Sequence, residues 1–191
     1  MPSVRWMFIL VFASLAALPA LAQRPTISDQ PLSERRVAYT IVVNLDPERR
    51  MLRGTEKITW RNPDRVAVDE LQFHLYLNAF KNERSTFMRE SGGALRGFAA
   101  EGEDRWGWID IKQLRVADAP APEADLTNAL QFIHPDDDNG DDQTVAAVRL
   151  LRPVPSGGSI TLDVTFEARL PKIFARTGWA ETDNRRLFFM V

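Results

Sequence analysis

Ser159 to Arg169 reads SITLDVTFEAR, and its strict alternation decides the fold class. Ile160, Leu162, Val164 and Phe166 fall on one side of an extended chain, with Thr161, Asp163, Thr165 and Glu167 on the other. A period of two with β-branched residues on both sides describes a strand with one face in a core and one in water. Pro155-Ser156-Gly157-Gly158 precedes it and suits a tight reversal between antiparallel partners.

The same alternation recurs upstream. Tyr39, Ile41, Val43 and Leu45 share one parity, and Thr40, Val42 and Asn44 share the other. Asp46-Pro47-Glu48-Arg49 is a turn with proline where a type I turn needs its φ preset. Leu52, Ile58 and Trp60 continue on one face of a second strand, which Gly54 weakens or interrupts with a bulge. These two runs predict a β-hairpin.

A third strand covers Leu71, Phe73 and Leu75, alternating with Gln72, His74 and Tyr76. Over 78–90 the period changes, and Phe80, Phe87 and Met88 predict a short helical segment. Residues 91–107 are rich in glycine and charge and predict a loop, after which Trp108, Ile109, Ile111, Leu114 and Val116 resume strand character. Leu126 to Ile133 and Thr144 to Leu151 are expected as two more strands. Many short strands without long intervening helices make this a mostly β chain, built as an antiparallel sandwich or saddle-like sheets.

The N-terminus points to export. Arg5 is followed by an uncharged apolar run from Trp6 to Leu18, and Ala20-Leu21-Ala22 ends it with small residues at the positions a signal peptidase reads. As a helix that run would rise about 20 Å, short of the ~30 Å hydrocarbon layer. The expected organisation is a signal peptide over 1–22, a polar linker over 23–35 and a β domain over 36–191, with cleavage between Ala22 and Gln23. The localisation is then periplasmic or extracellular. There is no cysteine, so the exported domain has neither disulfides nor thiolate ligands. Loss of Arg5 with the leader takes the formal charge from −2 to −3, with the charges interspersed. Without a basic stripe the chain has no feature that tracks phosphates, which argues against a nucleic-acid partner.

Candidate chemistry is sparse. The two histidines, His74 and His134, are far apart in sequence and form no H-x-H or H-x-x-x-H pair, so they read as structural or surface residues. Ser91-Gly92-Gly93 lacks the surroundings of a nucleophile elbow. No phosphate-binding glycine loop is present. The acidic run Asp136-Asp137-Asp138-Asn139-Gly140-Asp141-Asp142 invites a calcium reading. Its register fails the EF-hand pattern, because Pro135 and Ala146 would occupy the first and twelfth loop positions. A solvated turn is therefore the reading preferred over a weak calcium site. Trp106 and Trp108 read either as a sugar-binding platform or, more in keeping with aromatic residues generally, as the closure of a core.

Several strings resemble the N-terminal β domain of bacterial aminopeptidase N-like zinc metallopeptidases. They are Tyr39 to Asp46, Leu52-Arg53-Gly54, Leu71 to Phe80 (LQFHLYLNAF), Arg84 to Met88 (RSTFM), Pro135 to Thr144 (PDDDNGDDQT), Leu170-Pro171 and Arg176-Thr177-Gly178. The resemblance spans about residues 36 to 191. It implies a β domain packed on a downstream peptidase domain, whose zinc is held by H-E-x-x-H and a later glutamate, and whose G-x-M-E-N strand holds the substrate's α-amine. None of these motifs occurs in residues 1–191, so no catalytic, cofactor or metal residue is assigned here. The implied partners are the chain's own catalytic domain and the peptide substrates of the whole protein, with zinc bound outside this stretch. The apolar tail Leu187-Phe188-Phe189-Met190-Val191 likewise reads as a strand that continues into further sequence. Two other readings stand beside it: a stand-alone secreted β-sandwich that binds a glycan or a protein, and an inactive peptidase-like scaffold.

Overall fold

The computed structural model describes residues 33–190, apart from 96–97, 100–101, 121–123, 174 and 185. The signal peptide over 1–22 and most of the linker over 23–35 lie outside the described residues. The compact unit runs from Arg35 to Val191, and it is mostly β with antiparallel sheets, as the alternation predicts.

Its strands are β1 (Val37–Asp46), β2 (Met51–Arg61), β3 (Val68–His74), β4 (Ala94–Leu95), β5 (Phe98–Ala99), β6 (Trp108–Val116), β7 (Gln131–Phe132), β8 (Val145–Val154), β9 (Ser159–Arg169), β10 (Gly178–Glu181) and β11 (Leu187–Met190). One sheet has the order β1-β2-β9-β6 and a second the order β3-β8-β7, while β4-β5 and β10-β11 form two-stranded pairs. The first two strands form the expected hairpin, with Val37 opposite Trp60 and Asp46 opposite Met51. At its turn the Asp46 carboxylate accepts from the Arg49 backbone N–H at 3.0 Å, and Arg50 takes a positive φ of 59°.

Leu162 and Val164 of β9 pack with Leu114, Leu126, Val148, Leu150 and Val154 into one buried cluster that joins the two large sheets. The spacing Ile109, Ile111, Leu114, Val116 breaks strict alternation because β6 carries a register shift between Ile111 and Gln113. That bulge returns the later apolar residues to the core side. Gly54 is not a bulge, since β2 stays in register through it on both sides. A Cβ there would stand 2.7 Å from both Phe166 Cζ and the Val42 carbonyl, so glycine leaves room for the Phe166 ring.

Three sequence expectations need correction. The turn Pro155–Gly158 does not join hairpin partners, because β8 and β9 belong to different sheets. It is a corner, and Asn62 holds it. The Asn62 backbone N–H donates to Gly158 O at 2.8 Å, and its own carbonyl accepts from Gly157 N at 3.0 Å. The fully buried side chain donates from Nδ2 to Val66 O and Val154 O, both at 2.9 Å, while Oδ1 accepts from Asp64 N at 2.9 Å. Asn62 also begins the connection from β2 to β3, so one side chain ties two of the points where the chain passes between the large sheets.

Leu126 to Ile133 is not a continuous strand either. The Asp125 carboxylate accepts from Thr127 N and starts a 3-10 turn at Thr127–Ala129, leaving only the two residues of β7 extended. Leu126 is thereby turned into the core. The third strand stops at His74, and Tyr76–Phe80 is a 3-10 turn. The short helical segment expected over 78–90 is present, as that turn and α1 (Thr86–Ser91), which is capped by Ser85, whose side chain accepts from Met88 N. Phe80 and Met88 do share a buried cluster, with Phe87 against them. The loop over 91–107 contains the β4-β5 pair and a 3-10 turn at Glu103–Arg105.

Replacing Asn62 with alanine removes one donor group and one acceptor, and leaves the buried Val154 carbonyl without that donor. Unpaired buried polar groups cost about 1–3 kcal/mol. Asn62→Ala should therefore lower the denaturation midpoint by a corresponding amount, with an unchanged m-value in urea titration.

Candidate functional site

The four-stranded sheet presents rows of side chains to the second sheet. Registers align Tyr39, Ile58, Leu162 and Val116 in one row, and Ile41, Glu56, Val164 and Leu114 in the next. Along the second row exposure climbs from 0% at Leu114 and 5% at Val164 to 55% at Ile41. The smaller sheet covers the β6 and β9 side of this face, while β1 extends past its cover. Tyr39 and Val43 are likewise exposed, at 60% and 49%.

Between the two sheets lies a cleft of about 720 Å³, lined by residues of β1, β2, β3, β6 and β9. Ile58, Trp60, Leu71, Phe73 and Phe166 supply an apolar wall, and Glu56, Asp64, Glu70 and His74 supply the ionisable groups. Among the described residues no lysine or arginine lines it. Size and composition are those of a ligand cleft, with mostly apolar walls and a few polar groups.

Glu56 is the charged residue in the two rows. It makes no hydrogen bond or ion pair with the described residues, and burial alone raises its carboxyl pKa above the ordinary glutamate value. On the opposite face of the same sheet the charges are paired: Arg53 with Glu167, Lys57 with Asp163, and Lys112 with Asp110 and Glu167. Arg53 donates to Glu167 and holds that carboxyl below its ordinary value. Position 56 was not singled out from sequence. The available signal was its parity, which it shares with Leu52, Ile58 and Trp60.

Of the residues weighed from sequence only His74 reaches the cleft among the described residues. His74 ends β3, exposed at the rim of the cleft with its ring edge-on to Tyr76 at 6.2 Å. His134 is half-buried, with Nδ1 lacking a partner among the described residues. Ser91 closes α1 and donates to Met88 O. Trp106 packs against the Phe80 and Met88 cluster under the Arg105 guanidinium, and Trp108 is half-buried at the start of β6, so the two do not stand out as a platform. Among the described residues no group of three or more His, Cys, Asp or Glu could hold a metal ion.

The acidic segment is less solvated than a plain turn. Asp136, Asp137, Asp138 and Asp141 are exposed, but Asn139 and Asp142 are buried. Asp142 accepts from Thr144 N and from Thr86 N at the start of α1, and Asp137 accepts from the Thr86 hydroxyl. Asn139 donates to Arg84 O, and Asn78 donates to Gln143 O. These oxygens are committed to the fold. Desolvation pushes the Asp142 carboxyl upward, yet the hydrogen bonds from Thr144 and Thr86 outweigh it and leave the pKa lowered. Its stabilising effect is thus present above the ordinary aspartate pKa and lost as pH falls through the lowered value.

No family model matches this chain, and no curated protein matches it.

Glu56 acts on stability with the opposite sign. The folded chain holds its proton more tightly than the unfolded chain, so stability declines as pH rises from the ordinary glutamate pKa, about 4.3, through the raised folded value. Glu56→Gln should therefore melt above the parent near neutral pH, and the advantage should shrink towards zero below about pH 4. Thermal melts across that range test this, and a variant that melts lower at neutral pH would mean that Glu56 has a favourable partner.

Proposed function

We propose that this chain is the non-catalytic N-terminal domain of an exported zinc aminopeptidase, which packs on the peptidase domain and helps to enclose it. The observation that carries this reading is the interlocking of three strings that bear the resemblance. Residues 71–80, 84–88 and 135–144 meet through Asn78, Thr86, Asn139 and Asp142, which join them by hydrogen bonds. A shared set of strings that depend on one another physically is a stronger basis for kinship than strings scattered over a surface.

The described residues do not fit a zinc site, since they offer no cluster of ligands. Zinc and peptide hydrolysis in this proposal belong to sequence beyond the present chain. What the chain itself supplies in this proposal is shape, occlusion and folding support. A second reading, a secreted binding module, is favoured by the cleft between the sheets.

The native protein, recovered from the exported fraction with an antibody against this chain, distinguishes the two. The aminopeptidase reading expects a polypeptide that starts at Gln23, extends beyond Val191, contains zinc and releases amino acids from aminoacyl reporters until a chelator is added. A native product that ends at Val191 and releases none would overturn it in favour of the binding module.

A further inference from the structure

The cleft opens between two strand edges. Among the described residues β1 pairs with β2 alone and β3 with β8 alone, so each leaves a row of backbone N–H and C=O groups without a sheet partner. Edges of this kind are normally blunted by charge or proline. Neither is present in β1 from Val37 to Leu45, and the one charge, on Asp46, comes at its last position. Beside this edge the inner face of β1 is apolar and uncovered, and Glu56 stands next to Ile41 without a cation. Asp64 and Glu70 add acid to the walls, and among the described residues no lysine or arginine lines them.

We propose that the edge of β1 binds an extended segment of another polypeptide, which adds as a strand and directs apolar side chains into the cleft with one lysine or arginine against Glu56. Backbone pairing supplies affinity in such an arrangement, and alternate side chains supply selectivity. The charge pattern decides the occupant. A second copy of this chain adding through its own β1 would bring another Glu56 and, over Val37–Asp46, no cation, and an uncharged apolar segment would leave Glu56 desolvated and unpaired. A segment carrying one cation both covers the apolar face and pairs the acid. This inference does not depend on the aminopeptidase reading, because it uses only the edge, the cleft and the acid.

The test uses the full chain and a ten-residue peptide of alternating valine and threonine with a central lysine, flanked by solubilising residues. Two companion peptides carry glutamate or norleucine at the centre. Binding is read from tryptophan fluorescence, since Trp60 lines the cleft, and located by backbone amide shifts. The lysine peptide should bind about tenfold more tightly than the glutamate peptide, with shifts in β1. Glu56→Gln should abolish the preference for lysine over norleucine while norleucine binding persists, which also shows that the variant is folded. Peptides N-methylated on alternate residues in the two possible registers should differ, with one binding and the other not. Failure of the lysine peptide to bind, a lysine preference that survives Glu56→Gln, or equal binding of both N-methylated registers would each overturn the proposal. So would a concentration-dependent dimer that protects the β1 amides, because a second copy would then be the occupant.

Discussion

The side chain of Asn62 is the point on which the two large sheets depend. A sandwich made from one chain must pass between layers, and each passage leaves backbone groups that no ladder satisfies. Here two passages, from β2 to β3 and from β8 to β9, come together, and Asn62 donates into both while accepting from the turn beside it. Its burial is complete, and at the buried Val154 carbonyl water does not replace the bond it makes. Glycine at 157, with φ of 70°, lets the second corner turn tightly enough to reach it. The relative placement of β2 and β8, and hence the packing of Leu162 and Val164 on Val148 and Leu150, follows from this tie.

The second constraint is a mismatch in area. The first sheet has strands of 9 to 11 residues, whereas the second consists of strands of 7, 10 and 2 residues. Such a small layer cannot cover the larger one. The uncovered side falls at β1, where the apolar residues remain exposed and a carboxylate replaces what would otherwise be another aliphatic side chain. An apolar surface that is left open and marked with one unpaired acid is costly for a domain in isolation and useful to one that receives a partner. This physical logic underlies the docking of a cationic strand at β1.

Much of this was legible in the chain because alternation has a direct cause in strand geometry. β9 was readable residue by residue, the β1-β2 hairpin by its paired faces and turn, and β6 by its apolar residues without the register shift inside it. The failures have local explanations. Asp125 and Thr127 form a side-chain-to-backbone turn that competes with extension, so the apolar string after Leu126 did not become a strand. Pro155–Gly158 has the composition of a hairpin turn, and composition does not report which sheet the next strand joins. Asn62 looked like any loop asparagine, since its partners at 154 and 158 are remote in sequence. Glu56 was visible by parity and passed over, because a single acid among alternating residues reads as an ordinary exposed position until the rows are assembled. The acidic segment resolved as a clasp on α1 only once Thr86 was placed beside it.

The central claim is that the four-stranded sheet is anchored through β9 and left open at β1. Residue-resolved amide hydrogen exchange measures both properties at once. Amides of β9, paired on both sides with β2 and β6, should exchange only with global unfolding, and those of β1 that face away from β2 should exchange within the time of a solvent-exposed edge. Uniform protection across β1, equal to that of β9 in dilute monomeric protein, would contradict the account, because that edge would then already be covered.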